Sequence, residues 1–101
     1  MDKIYYTDIS NICLEQINID NIEPMLIKKN QNQKNEKKII QSYVGYLLLK
    51  QVLGDVDYQI GENGKPYLNN SSYHFNISHS NNLVCLVVSE EPIGVDIELQ
   101  Y

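Results

Sequence analysis

Near the C-terminus of this 101-residue chain, Asp96 and Glu98 alternate with Val95, Ile97 and Leu99. In a strand, side chains two residues apart leave the same face, so the two carboxylates share one face and the aliphatics the other. Two hard oxygen donors one strand-step apart suit Mg²⁺, which takes one or two carboxylates and completes its shell with water and substrate phosphates. The same spacing also describes a plain solvated strand face. Upstream stand two other polar groupings, Gly64-Lys65-Pro66 and Phe75-Asn76-Ile77-Ser78-His79-Ser80. A lysine beside a proline is either a cation near a ligand or an exposed turn residue. Adjacent Ser78 and His79 seldom make a nucleophile–base pair, and no Gly-x-Ser-x-Gly elbow accompanies them, so hydrolase chemistry has little support.

The elements that position these residues are legible in outline. Lys3–Thr7 is a Tyr-rich strand candidate. Asp20 or Asn21 is placed to cap a helix entering at Ile22, with Glu23 and Pro24 in its first turn. The polar stretch Asn30–Asn35 reads as a surface connection. Ile40, Val44, Leu48 and Val52 form an i,i+4 row with Ile39, Tyr43 and Leu47 beside it. This pattern predicts an amphipathic helix from an Asn35 N-cap to a Gly54 stop. Gly45 interrupts that helix at a cost of about 1 kcal/mol relative to Ala, which calls for a close helix–sheet contact. Gly61–Gly64 is a turn joining strands at Asp57–Ile60 and Lys65–Leu68, and Asn69–Ser72 leads into a strand at His74–Ile77. Leu83–Ser89 is nearly all apolar, as a strand buried on both faces would be. It is expected to pair with Ile93–Glu98 through a turn at Glu90, Glu91 and Pro92. The summed expectation is an α+β fold, with helices on one side of a small antiparallel sheet.

Composition narrows the partners. Eight Lys+Arg against thirteen Asp+Glu give a formal net charge of −5, which argues against a nucleic-acid groove or an anionic membrane surface. No arginine is present, so an anion clamp must use Lys, His, hydroxyls or backbone N–H groups. Cys13 and Cys85 are expected to be reduced and unpaired, Cys85 as a small apolar core residue. Without a signal-like n-region or a run of about 18 apolar residues, the chain reads as cytoplasmic and soluble.

The order Gly-Lys-Pro, Phe-Asn-Ile-Ser-His-Ser, then Pro-Ile-Gly-Val-Asp-Ile-Glu at Pro92–Glu98 resembles the 4'-phosphopantetheinyl transferases. It is most similar to the surfactin-type members, pseudo-dimers of two similar halves. The specific match runs from Gly64 to Glu98, and residues 1–101 read as the N-terminal half of that fold. The resemblance implies transfer of the phosphopantetheine arm of coenzyme A to a serine of an apo acyl or peptidyl carrier protein, with Mg²⁺. It also implies roles residue by residue. Asp96 and Glu98 match the magnesium ligands. Lys65 and Pro66 match residues at the adenine end of coenzyme A, and Ser78 and His79 match residues that hold its phosphates. Gln41 departs from the pattern, because the family commonly has there an arginine that binds the 3′-phosphate. Glutamine donates a hydrogen bond but supplies neither charge nor a bidentate fork. Lys37 and Lys38, one turn away, either replace part of that charge or lie on a solvated face. Lys28 and Lys29 are too loosely matched to assign.

In the family a second half brings a Trp/Phe-x-x-Lys-Glu helix, with a further carboxylate and a lysine, and this sequence contains no such motif. The chain is therefore expected to be inactive unless a C-terminal half completes it. The alternatives are a non-catalytic half-domain that binds a partner or is vestigial, and a self-assembling form in which copies pair.

Overall fold

A computed structural model describes residues 3–69 and 71–91. The fold is α+β, with antiparallel strands and, among the described residues, two α-helices. Strand β1 (Lys3–Asp8) leads through 3-10 turns at Leu14–Gln16 and Ile19–Asn21 to helix α1 (Pro24–Lys29) and then to helix α2 (Glu36–Leu53). Strands β2 (Asp57–Ile60), β3 (Pro66–Asn69), β4 (His74–Ser80) and β5 (Leu83–Ser89) follow. They form two sheets, a three-stranded one in the order β1-β5-β4 and a separate β2-β3 hairpin. The sequence pattern had indicated one sheet.

Strand β5 is central because it is the most apolar. Val84, Cys85, Leu86, Val87 and Val88 are all buried. It pairs with β1 from Leu83 to Val88 and with β4 from Leu83 to Ser89, both antiparallel. Both edges of β5 are thus occupied among the described residues, and the further partner expected from the sequence is Ile93–Glu98. Those residues lie outside the described ones.

Helix α2 begins where Asn35 predicts it, the Asn35 side chain accepting from the Lys38 N–H, and ends at Gly54, whose φ is 76°. Its buried residues include the expected Ile40, Tyr43 and Val44 but extend to Tyr46 and Leu49, beyond the predicted stripe. The extension has a physical reason. Leu49 and Tyr46 join one core with Leu86 and Val88 of the sheet, Ile22 and Leu26 near α1, and Tyr58 of the hairpin. The helix is covered from two sides, and a stripe is too narrow to describe it. Ile40 and Val44 close a second core with Ile9 and Val84.

Gly45 has the role its cost demanded. A Cβ there would meet Ile77 Cγ2 of β4 at 2.8 Å, so α2 crosses the sheet where only glycine fits. Helix α1 starts at Pro24 with Glu23 as its N-cap, two residues after the expected entry at Ile22, and the expected caps Asp20 and Asn21 lie in the 3-10 turn at Ile19–Asn21. Both cysteines are free thiols, Cys13 exposed and Cys85 buried. No helix among the described residues is long and apolar enough to cross a membrane.

Candidate functional site around strand β4

Strand β4 ties the candidate residues together. It is an edge strand of the three-stranded sheet, with β5 on its inner side. Among the described residues no strand pairs with its outer edge. Beside it stands the β2-β3 hairpin. A cleft of about 410 Å³ between them is lined by Gly61, Lys65, Pro66, Tyr73, His74 and Phe75, among others. A smaller one of about 250 Å³ continues along β4, between Lys65 and Pro66 on one side and Phe75, Asn76 and Ile77 on the other. The Gly-Lys-Pro and Phe-Asn-Ile motifs, with the eight residues 67–74 between Pro66 and Phe75, thus form the two walls of one groove.

Local chemistry sets the hairpin wall. Gly64 adopts φ 81°, a conformation that favours glycine. The turn is closed by Gly61 N–H donating to the Lys65 carbonyl at 2.9 Å and Gly64 N–H donating to the Gly61 carbonyl at 2.9 Å. The Asn63 side chain accepts from Lys65 N–H at 3.0 Å. Lys29 Nζ reaches across from the end of α1 and donates to the Gly64 carbonyl at 2.7 Å. Helix α1 is itself fastened to α2, since Asn30 Nδ2 donates to Ser42 Oγ at 3.1 Å. The pattern around Lys28 and Lys29 gave no hint of this contact, because nothing local marks a lysine that pairs 35 residues away.

Behind the groove lies an aromatic cluster. Tyr46 meets Tyr58 edge to face at 5.0 Å between ring centroids, and Tyr58 stacks on Phe75 at 6.2 Å. Burial, with smaller contributions from Tyr46 and Glu23, pushes the Tyr58 hydroxyl up to about 12. Tyr58 is therefore a neutral core residue whose hydroxyl stays protonated.

Further along β4 the register separates Ser78 from His79. Ser78 stands opposite Cys85 and His79 opposite Val84. Val84 packs against Ile40 and Val44, so His79 belongs to the sheet face that α2 covers, and Ser78 to the other. Burial raises the Cys85 thiol, while a hydrogen bond with Ser78 partly lowers it again. The Ser78 and His79 side chains therefore leave opposite faces of β4. A ligand that uses both lies along the outer edge of β4, where Ser78 is half-buried and His79 exposed.

Gln41 is brought to the same end of β4. It is 6% exposed, and its Nε2 donates to the Asn81 carbonyl at 2.8 Å in the turn that follows Ser80. Lys37 Nζ donates to Asn81 Oδ1 at 2.9 Å, so this lysine has a partner and is not simply solvated. Asp96 and Glu98 lie outside the described residues. Among the described residues, no group of three or more His, Cys, Asp or Glu converges as a metal site.

Compared with known proteins, the chain is similar to the 4'-phosphopantetheinyl transferase gsp of Aneurinibacillus migulanus, at 38% identity over 72 residues. The match covers 63% of this chain and 30% of that relative, so the chain spans under a third of the length of the protein it resembles. No family model matches the chain, and no solved structure matches it. The motifs of Gly64–Glu98 and the Aneurinibacillus relative agree, and the family this chain resembles is the 4'-phosphopantetheinyl transferases.

Proposed function

We propose that this chain is the N-terminal half of a surfactin-type 4'-phosphopantetheinyl transferase, which moves the phosphopantetheine arm of coenzyme A to a serine of an apo acyl or peptidyl carrier protein in the cytoplasm. The observation that carries the proposal is the groove in which Lys65 and Pro66 face Phe75–Ile77, joined to a relative that bears the transferase name. In this reading the adenine end of coenzyme A rests against Pro66 and Lys65. Its phosphates follow the outer edge of β4 toward Ser78 and His79. The serine offers a hydroxyl hydrogen bond, and the imidazole offers a donor on the opposite side of the strand.

Asp96 and Glu98 are the residues that would hold Mg²⁺, since two carboxylates are the donor set this ion takes alongside phosphate oxygens. Bound there, the ion would draw charge from a crowded pyrophosphate and stabilise the leaving group. A C-terminal half, on the same chain or another, supplies the remaining carboxylate and lysine. Phosphoryl transfer depends mainly on positioning and charge stabilisation, so half a site binds the nucleotide without turning it over.

Titration of the chain with 3′,5′-ADP, the nucleotide product, tests the binding half of the proposal. Amide shifts are expected to concentrate at Lys65, Phe75, Asn76 and His79, and to weaken in Lys65→Ala. Shifts confined to the β1 side of the sheet would contradict it.

A further inference from the structure

Resting on that reading, we propose that Gln41, helped by Lys37, is a positioning residue that holds Asn81 in a left-handed conformation and so sets the end of β4 from which His79 projects.

Ser80 pairs with Leu83, so Asn81 and Asn82 alone form the β4–β5 turn. Asn81 has φ 52° and is the one non-glycine residue with positive φ among the described residues. A positive φ at the first central position only is the sign pattern of a type II′ turn, where glycine is the usual occupant. Asparagine tolerates the left-handed region better than most side chains but still prefers other conformations.

Two residues one turn apart on α2 converge on this one strained residue. Gln41 takes its backbone carbonyl at 2.8 Å and Lys37 its side-chain oxygen at 2.9 Å. From the other side, Ile9 N–H donates to the Asn82 carbonyl at 2.7 Å. Gln41 is buried and bonded to the turn, whereas a ligand-reading side chain would need its donor turned outward. Glutamine thus acts through the turn and does not stand in as a weaker phosphate ligand. The same helix fixes β4 one turn later through Gly45 and Ile77, so α2 sets both the height of the strand and the angle of its end.

The test uses a suppressor. Gln41→Met keeps most of the volume but removes the donor, and Asn81→Gly relieves the left-handed strain without any help from α2. In the full 101-residue chain, Gln41→Met is expected to shift the Ser80–Leu83 amides and the His79 imidazole. It should weaken 3′,5′-ADP binding by about 2- to 10-fold, the range for one lost hydrogen bond. Gln41→Met combined with Asn81→Gly is expected to restore both the His79 resonances and the affinity. Lys37→Met, at an exposed residue, should show a smaller version of the same changes, which covers the case in which Gln41→Met fails to fold. A double variant with native turn resonances but affinity as low as Gln41→Met would assign Gln41 to the ligand and overturn the proposal. Unmoved turn and His79 resonances in Gln41→Met would overturn it as well. If the wild-type chain binds no 3′,5′-ADP, the functional reading fails. The positioning claim is then decided by whether Gln41→Met moves the His79 imidazole and Asn81→Gly returns it.

Discussion

At one end of β4, Ile77 packs against Gly45 and the following turn is bonded to α2 and to Ile9. At the other, Phe75 stacks on Tyr58 and faces a groove walled by a two-stranded hairpin. The first end belongs to a three-stranded sheet whose central strand is buried along its length. The second depends on a separate hairpin backed by aromatic rings and contacted at its tip by Lys29. The difference divides the labour in the proposed site. The Ser78–His79 end is rigid because the core that makes the fold also holds it. The Lys65–Pro66 wall belongs to a separate two-stranded sheet, and it is the end expected to yield to a ligand.

If the sheet end is the rigid one, the largest effects come from its packing. Leu49→Ala, at a side chain with 0% exposure between the sheet and the hairpin, is expected to cost about 2–5 kcal/mol in urea unfolding. Gly45→Ala sharpens the point, because helix propensity alone favours alanine by about 1 kcal/mol. The new methyl would instead meet Ile77 Cγ2, which its β-branched side chain cannot swing away. A net loss of about 1–3 kcal/mol is expected, and little or none of it should remain in an Ile77→Ala background. A stabilised Gly45→Ala chain would mean that α2 stands off the sheet.

The hairpin end has a pH signature. Tyr58 rises from the ordinary 10.0 to about 12 in the folded chain, chiefly because burial disfavours its phenolate. A folded value above the unfolded one means that the stabilisation is complete below pH 10 and is lost as pH climbs toward 12. Urea midpoints measured across that window should fall, and Tyr58→Phe should flatten the fall. Equal slopes in both chains would remove Tyr58 from the account. The smallest effect is expected at the hairpin tip. Lys29→Met should change global stability by about 0.5 kcal/mol or less, as exposed substitutions do, while hydrogen exchange at Gly64 and Lys65 quickens locally.

Much of this division was legible in the residues, and the remainder was hidden for identifiable reasons. Asn35, Gly54 and Gly45 announce a helix start, a stop and a close crossing, because each acts through its own backbone. The apolar run Leu83–Ser89 declares its burial through composition. Which strands flank it was not legible, since β1 pairs with β5 across most of the chain and strand partners are chosen by tertiary packing. The split into two sheets was hidden for the same reason. In the candidate site, the groove joins motifs already visible in the sequence. The opposite facing of Ser78 and His79 follows from strand alternation once β4 is known to run through to Ser80. The bond from Gln41 to Asn81 had no sequence signal beyond an Asn-Asn pair between two strands, because a carboxamide on a helix face carries no mark of its partner 40 residues on.

The central claim, that this chain is half of a transferase site, is tested most directly by intact mass. An apo carrier protein is incubated with coenzyme A, Mg²⁺ and this chain, with and without the C-terminal half of a surfactin-type transferase. The account predicts no phosphopantetheine mass gain with the chain alone and conversion when both halves are present. It also predicts loss of that conversion in Asp96→Ala, since a missing metal ligand removes transition-state stabilisation worth several kcal/mol. Robust conversion by the chain alone, or full activity of the Asp96→Ala pair, would contradict it.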